Sequence, residues 1–232
     1  MHSFYIPELI DSDTQQQLSE EESLHACKVL RLKSGVKIRV FNGKGLSAIA
    51  EISFIHPKNT TIDICEKPVY EALPYELHIA IAPTKMNERM EWFVEKATEI
   101  GATAITFINC HNSERKQINI ERFRRIALAA VKQSQRLDLP LINDLTSFQS
   151  FCELHKDGFI AHCYNQEKIA VTQFETLKKA TILIGPEGDF SKEEVDLALK
   201  YGYKGLSLGS NRLRTETAGL VAVTQFMQLI SN

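Results

Sequence analysis

Several classes of protein are excluded by what this sequence lacks. No apolar run approaches the ~20 residues that a bilayer span needs, and the N-terminal residues lead into the acidic stretch DSDTQQQLSEEE rather than a small-residue cleavage site. The 11 glycines and 7 prolines follow no repeating period, which excludes collagen-like and repeat-array chains. We therefore expect a soluble, globular, cytoplasmic protein whose 232 residues can build one large core or two modest ones.

The cysteines form neither a disulfide framework nor a metal-binding pattern. There are 5 of them, no two form a C-x-x-C pair, and no histidine cluster lies beside them at metal-ligand spacing. We interpret all of them as reduced, mostly buried thiols and expect no metal: Cys27, Cys65, Cys110, Cys152 and Cys163. The phosphate-binding motifs GxGxxG and GxxxxGKS/T are also missing, which disfavours a phosphate-cradling site.

Charge is nearly balanced overall but unevenly distributed. The net charge of −2 argues against a uniformly basic nucleic-acid binder. Residues 111–136, however, contain seven basic and only two acidic side chains. A run of this kind is often only a solvated surface, but it also suits a specific anionic partner.

Residues 1–73 have the pattern of a small β-rich domain. Alternating apolar runs between turn-forming residues predict three of its strands: 36–41, 47–55 and 60–66. A helix is predicted over 20–30, where apolar residues recur at helical spacing. Two prolines in the connector 67–74 favour extended backbone and mark the boundary to a second domain, 74–232.

The second domain has strands that alternate with helices. Near-continuous apolar runs predict its strands: 77–82, 104–109, 159–164, 181–185 and 206–209. Helical spacing and helix-end residues predict its helices: 87–100, 120–135, 191–201 and 216–230. This order is typical of an α/β domain whose parallel sheet is covered on both faces. Ligands of such sheets bind beyond the carboxyl ends of the strands.

Two strand exits carry candidate binding residues. In LIGPEGDF (183–190) and LGSNRLRTETAG (208–219), a strand ends in glycine-containing turns before a helix begins. Glycine allows a ligand to approach the backbone closely, and a helix N-terminus offers unpaired N–H groups. Either segment alone could be an ordinary strand-to-helix turn, whereas two of them at consecutive strand exits favour a binding site.

These two segments resemble the paired C-terminal signatures of the RsmE family. That family consists of SPOUT-class methyltransferases that methylate the ring N-3 nitrogen of a uridine in 16S ribosomal RNA. Three further segments resemble its other motifs, so that the resemblance covers nearly the whole chain: HACKVLRLKSG (25–35), KMNERMEWFVEKATEIGATAITFINCHNSER (85–115) and IALAAVKQSQR (126–136). The chain departs from the family at Asp189, where Gly is usual, and at Ser210-Asn211, where Pro-Arg is more usual.

The resemblance implies a PUA-like β-barrel in residues 1–73 and a SPOUT α/β domain with a trefoil knot in 74–232. It implies S-adenosylmethionine as cofactor, 16S ribosomal RNA or the 30S subunit as partner, and a homodimer in which each chain completes the other's RNA site. Mapped onto this sequence, the cofactor-binding residues are Ala161, His162, Cys163, Ile184, Gly185, Glu187, Gly188, Leu208, Gly209, Asn211, Leu213 and Arg214.

Methylation at N-3 of uracil has to remove a proton, because this nitrogen is protonated at neutral pH. A proton acceptor, or donors that stabilise the anion developing on the flanking carbonyl oxygens, should therefore be present. We expect Glu216 and Glu187 as acceptors and Arg214 as stabiliser. Glu216 could instead only favour the helix dipole from the first turn of the last helix.

Basic residues in both domains are candidates for RNA phosphate contacts. On the helix predicted over 120–135 several of them fall on roughly one face, and in strand 36–41 two alternate with core residues. The predicted RNA-binding residues are Arg31, Lys37, Arg39, Arg115, Arg122, Arg125, Lys132 and Arg136. Each group alone is more often a solvated surface, but together with a methyltransferase site phosphate contact becomes the better interpretation.

Two alternative functions remain open from the sequence. The acceptor could be another base, or a ribose 2′-hydroxyl, in ribosomal or transfer RNA. A protein of another class, a non-catalytic RNA-binding or ribosome-assembly factor with a degenerate cofactor site, is favoured only by the departures at Asp189 and Ser210-Asn211.

Overall fold

The structure, a computed structural model, describes residues 1–66, 68–171 and 177–230. The chain forms two compact units. The first contains Met1–Leu73 together with Val131–Leu139, and the second contains the other described residues. The two-domain division read from the sequence had assigned 131–139 to the second domain. The predicted connector begins at Lys67, which lies outside the described residues.

The first unit is built on one mixed sheet. Its strands are β1 Ser3–Tyr5, β2 Gln15–Gln17, β3 Lys37–Phe41, β4 Leu46–Phe54, β5 Thr61–Ile64 and β6 Val69–Tyr70. The strand order is β1-β3-β4-β5-β2, with β6 paired to β4, and only the β1–β3 pair is parallel. Alternate residues of β3 and β4, among them Ile38, Val40, Ala50 and Ile52, point into a core with Phe4.

The helix predicted over 20–30 is only partly correct. An α-helix, α1, spans Glu20–Leu24, and its N-cap Ser19 accepts a hydrogen bond from the backbone N–H of Glu22 at 3.2 Å. The chain then continues as a π-helix over His25–Val29. Apolar spacing predicted the helix but could not distinguish the two backbone hydrogen-bond patterns.

The second unit contains a parallel sheet. Its strands are β7 Glu76–Ile81, β8 Ala104–Asn109, β9 Leu141–Ser147, β10 Phe159–Ala161, β11 Ile169–Ala170, β12 Lys179–Ile184 and β13 Lys204–Ser207. The order is β11-β13-β10-β12-β7-β8-β9, and every pairing in it is parallel. The helices are α2 Asn87–Ile100, α3 Ile120–Ser134, α4 Phe148–Leu154, α5 Lys192–Lys200 and α6 Thr215–Ile230, and the end of α3 from Val131 onward belongs to the first unit.

Helices cover both faces of this sheet. On β7, Ala80 belongs to a buried cluster with Phe151 of α4 and Val195 of α5. Its neighbour Ile81 points the other way, because a Cβ added at Gly219 of α6 would lie 3.1 Å from it and 2.6 Å from Phe93 of α2. The predicted α/β class is therefore confirmed.

Some predicted elements agree with the structure better than others. The helix over 87–100 is found with the same bounds, and Ser191 forms the predicted capping box with Glu194 at the start of α5. The predicted strand 159–164 ends at Ala161, and the strand predicted over 206–209 lies at Lys204–Ser207. Within the described residues, no helix is long and apolar enough to cross a membrane.

Candidate active site

Three parallel strands end side by side at the carboxyl edge of the second unit's sheet. In the register of β10 with its two neighbours, Ala161 pairs with Ile184 of β12 and with Leu206 of β13. A cavity of about 560 Å³ lies at these strand ends and is lined on another side by the loop that leads into α6. Its volume is within the range of roughly 300–1,000 Å³ that small-molecule sites occupy.

The predicted cofactor-binding residues converge on this cavity. All of them line it except Gly188, which lies beside Asn112, since a Cβ added at Gly188 would be 3.1 Å from the Cβ of Asn112. The lining residues that the sequence had not identified are Lys168, Pro186, Asp189, Leu206, Ser207, Ser210, Arg212, Thr215 and Ala218. Most adjoin predicted residues in the chain, but no motif had marked Lys168.

Asp189 links two of the strand exits. Its Oδ2 accepts a hydrogen bond from the backbone N–H of Cys163 at 2.8 Å, and its Oδ1 accepts one from the N–H of Phe190 at 2.8 Å. The residue has a φ of +65°, a region that non-glycine residues seldom occupy. Partial burial and then the Asp189 carboxylate raise the pKa of the Cys163 thiol, so this thiol remains protonated. The departure at Asp189 thus has a structural role in the cavity wall.

His162 supplies a buried polar atom to the cavity. The residue is 7% exposed, and its Nδ1 has no hydrogen-bond partner among the described residues. Burial, followed by nearby Lys168, lowers the pKa of His162, which favours the neutral ring. A buried unpartnered nitrogen is costly, and a ligand hydrogen bond in the cavity would relieve that cost.

Two glycines on the cavity wall differ in their surroundings. A Cβ at Gly185 would lie 3.1 Å from the ring of buried Phe190, so this position is close-packed. Gly209 has a φ of +127°, and a Cβ there would meet no atom within 4 Å. Open space next to its backbone therefore leaves room for a flat ligand at Gly209.

The predicted catalytic residues occupy different places. Glu187 and Arg214 are exposed and line the cavity, and the N–H of Lys85 donates to Oε1 of Glu187 at 3.2 Å. Glu216 is 7% exposed and is not among the lining residues. Its Oε1 lies 3.6 Å from Nη1 of Arg89 on α2, and its Oε2 has no hydrogen-bond partner among the described residues. The structure therefore brings two of these three side chains to the cavity.

Several predicted RNA-binding residues have acidic partners in the structure. Arg122 contacts Glu91 through an ion pair of 2.7 Å from Nε to Oε1 and a hydrogen bond of 2.8 Å that Nη2 donates to Oε2. Lys132 lies 2.7 Å from Glu22, whose side chain is 8% exposed, and Arg136 pairs with Asp138. Among the other predicted residues, Arg115 donates to backbone carbonyls. The side chains of Arg31, Lys37 and Arg125 are exposed, and that of Arg39 is half-buried.

The cavity residues fit S-adenosylmethionine. That molecule carries no phosphate, and it needs apolar walls for the purine and backbone groups or neutral acceptors for adenine. Ile184, Leu206 and Leu213 offer apolar walls. The strand-exit backbone and Nδ1 of His162 offer polar groups for adenine. Within the part of the chain that the structure describes, no group of three or more His, Cys, Asp or Glu side chains could hold a metal ion.

Proteins similar to this chain include ribosomal RNA methyltransferases. A ribosomal RNA small subunit methyltransferase E of Rickettsia conorii is 29% identical over 98% of this chain and 96% of its own length. A structure described as a "probable rRNA-methyltransferase" from Porphyromonas gingivalis is 36% identical, has a TM-score of 0.89, and covers 100% of this chain and 99% of its own. A Legionella pneumophila protein described as a methyltransferase, solved with the bound cofactor SAM, is 26% identical with a TM-score of 0.84, covering 97% of this chain and 96% of its own.

The chain also matches two protein families in consecutive segments. Residues 18–65 match the RNA methyltransferase PUA domain, and residues 71–227 match the RNA methyltransferase domain. The resemblance read from the sequence, including the PUA-like first domain, is therefore confirmed, as is the expectation of an enzyme. The chain belongs to the RNA methyltransferase family.

Proposed function

We propose that this protein methylates the N-3 nitrogen of a specific uridine in 16S ribosomal RNA of the small subunit, with S-adenosylmethionine as methyl donor. The observation that carries the proposal is the cavity at the ends of β10, β12 and β13, where backbone, apolar walls and the free Nδ1 of His162 suit that cofactor. The name of the Rickettsia conorii protein supports RNA of the small subunit as substrate, and that of the Porphyromonas gingivalis protein supports ribosomal RNA.

The chain's residues would divide the work of this reaction. The sulfonium of the bound cofactor supplies a methyl group that is already reactive, so the protein mainly has to align it with the attacking nitrogen, which can contribute ~7–11 kcal/mol. With the cofactor bound, N-3 would take up the methyl group as the neutral thioether leaves, and the N-3 proton would need an acceptor. Glu187, on the cavity wall, accepts that proton, and Arg214 stabilises negative charge on the ring oxygens.

Glu216 has an alternative role, which is to position helix α6 rather than to accept the proton. Because its carboxylate lies next to Arg89 and does not line the cavity, it suits positioning of α6, whose residues Thr215 and Ala218 do line the cavity. The acceptor role of Glu216 stays a prediction that the Glu216→Gln variant tests. A fall in melting temperature with a nearly unchanged single-turnover rate would assign it to positioning.

We further propose a cytoplasmic homodimer and a trefoil knot in the second unit. The strand order supports a non-consecutive chain path, because β10 lies between β12 and β13. Two exposed apolar side chains support a contact with a second chain: Met86, which precedes α2, and Trp92, in the N-terminal half of α2. Sedimentation that shows an active monomer at micromolar concentration would contradict the dimer.

One experiment separates this function from its alternatives. The protein is incubated with labelled S-adenosylmethionine and either 30S particles or naked 16S RNA, and the modified nucleoside is identified and mapped. N-3-methyluridine at one site is the expected product. A 2′-O-methylated or other nucleoside would change the acceptor, and calorimetry without any cofactor binding would favour an RNA-binding or assembly factor.

A further inference from the structure

A second, smaller cavity lies at the N-terminal ends of α2 and α3. Its volume is about 220 Å³, and its walls come from α2 residues, the segment 115–119 and the first turn of α3. Ile118 and the buried ring of Phe123 are its apolar residues. The cavity belongs entirely to the second unit and shares no lining residue with the cofactor cavity.

The two arginines of this cavity are held in fixed orientations. Arg122 is held by its ion pair and its hydrogen bond to the Glu91 carboxylate. Arg115 donates through Nε to the carbonyl of Thr84 at 3.0 Å, and its other nitrogens bond to the carbonyl of Lys85 and to Oδ1 of Asn87. A guanidinium whose edge is already bonded still presents a flat face, on which a planar base can stack.

One polar side chain in the cavity is free to contact a ligand. Gln117 is exposed, and its amide has no hydrogen-bond partner among the described residues. An amide both donates and accepts, which matches the edge of a nucleobase. Bare phosphate fits less well, because Glu91 offsets the charge of Arg122 and Arg115 already uses its donors on acceptors of the chain.

The segment Thr84–Lys85 connects this cavity to the cofactor cavity. Its two carbonyls accept hydrogen bonds from Arg115, and the N–H of Lys85 donates to Glu187 at 3.2 Å. Arg115 lines the smaller cavity and Glu187 lines the larger one. The two cavities are thus linked through one short segment, and a nucleotide next to the target base is the candidate ligand of the smaller cavity.

We infer that the smaller cavity binds an unpaired nucleobase of the substrate RNA, near the nucleotide that is methylated. The base would stack on the guanidinium faces and on Ile118, and its edge would bond to the amide of Gln117. This inference rests on the proposed function, since it needs RNA to enter the larger cavity. It assigns part of the sequence recognition to this cavity. Of the lining residues, only Arg115 and Arg122 belong to the predicted RNA-binding set.

The test is a cycle that combines abasic RNA with protein variants. A 16S RNA fragment that the protein methylates is prepared with a single abasic nucleotide at each position flanking the target, and its affinity is measured for the full-length protein and for the double variant Gln117→Ala/Ile118→Ala. For the unchanged protein we expect one abasic position to weaken binding about tenfold, a loss typical of one stacked base. The double variant should bind intact RNA correspondingly more weakly and lose its sensitivity to that position.

Matched measurements keep this result unambiguous. Gln149→Ala, at an exposed glutamine of α4 that lines neither cavity, should retain the full abasic sensitivity. Melting curves check that the variants fold. If the double variant responds to every abasic position as the unchanged protein does, or if it changes only the salt dependence of binding, no base occupies the cavity and the inference is wrong. Failure of the proposed function looks different, because the unchanged protein would then neither bind S-adenosylmethionine nor methylate the RNA.

Discussion

The sequence predicted both a set of cofactor-binding residues and a set of basic RNA-binding residues, and the structure places the two sets in different surroundings. All predicted cofactor residues but Gly188 line one cavity, because the parallel strands β10, β12 and β13 end side by side at one edge of the sheet. The basic residues were chosen by their charge, and Arg122, Lys132 and Arg136 prove to have carboxylate partners. A site formed by backbone at strand ends follows from topology, whereas a count of charges does not reveal which ones are free for a ligand.

The largest effect should come from filling the open space beside Gly209. Gly209→Val is expected to abolish measurable S-adenosylmethionine binding in calorimetry, because the added side chain would occupy space where no protein atom lies within 4 Å. Gly35→Val is the matched control. Gly35 also has a positive φ, +87°, and open surroundings, but it does not line the cavity. Equal loss of stability with normal cofactor binding in both variants would contradict the cavity assignment.

A smaller but still large effect is expected at Arg214. Arg214→Ala should slow single-turnover methylation by about 100-fold, the loss typical of removing a donor that stabilises developing negative charge. Its affinity for RNA should change far less, because Arg214 is assigned to the uracil ring, whereas most of the affinity for RNA comes from phosphate contacts. Arg214→Lys should recover part of the rate. A rate equal to that of the unchanged protein would remove Arg214 from the mechanism.

The elements that sequence predicted well are those set by local signals. Helix α2 was found with its exact bounds because its apolar period is regular and Gly101, with a φ of +145°, ends it. Strand β2 was missed, since Gln15–Gln17 has no apolar residue and exists through its pairing with β5. Strand β9 was missed as well, because four of the 7 residues of this edge strand are polar and its first residue, Leu141, is 67% exposed.

The same distinction explains the site. Glycine turns at the ends of apolar strands are visible in the chain and indicate where a site lies, and the family resemblance then supplied its individual residues. Long-range partners are not visible: nothing local to Lys132 indicates that Glu22, 110 residues away, accepts its charge. The hydrogen bond from Cys163 to Asp189 and the second cavity likewise depend on contacts between distant segments.

Lys132 and Arg125 allow the contrast between paired and free charge to be tested on one helix. Lys132→Gln should lower the free energy of unfolding by about 2 kcal/mol, because it leaves the buried Glu22 carboxylate without its cation; the loss should stay below the ~3–5 kcal/mol of a fully buried pair since Lys132 is 22% exposed. Arg125→Gln should leave stability nearly unchanged. It should reduce the dependence of log affinity on log salt by about 0.7–0.9 if Arg125 contacts a phosphate.

Urea unfolding and RNA binding across a salt series measure both quantities. A stable Lys132→Gln variant with a reduced salt slope would show that Lys132 exchanges Glu22 for RNA phosphate. It would then act as the predicted RNA-binding residue despite its ion pair.

The smallest effect should come from charge inside the cavity itself. Asp189→Asn keeps one oxygen that can accept the hydrogen bond from the N–H of Cys163, 2.8 Å away in the unchanged protein. It loses the acceptor for the N–H of Phe190 and removes one negative charge from the wall. S-adenosylmethionine carries a positive sulfonium, whereas S-adenosylhomocysteine has a neutral sulfur. At the effective dielectric of a solvent-open cavity, one charge several ångströms from the sulfur is expected to change affinity by only about three- to tenfold. Calorimetry should therefore show weaker binding of the methyl donor and nearly unchanged binding of the product. If the affinities for both ligands fall equally, Asp189 acts only through the position of the Cys163 loop. The backbone at the strand ends, and not a side-chain charge, would then define the cavity.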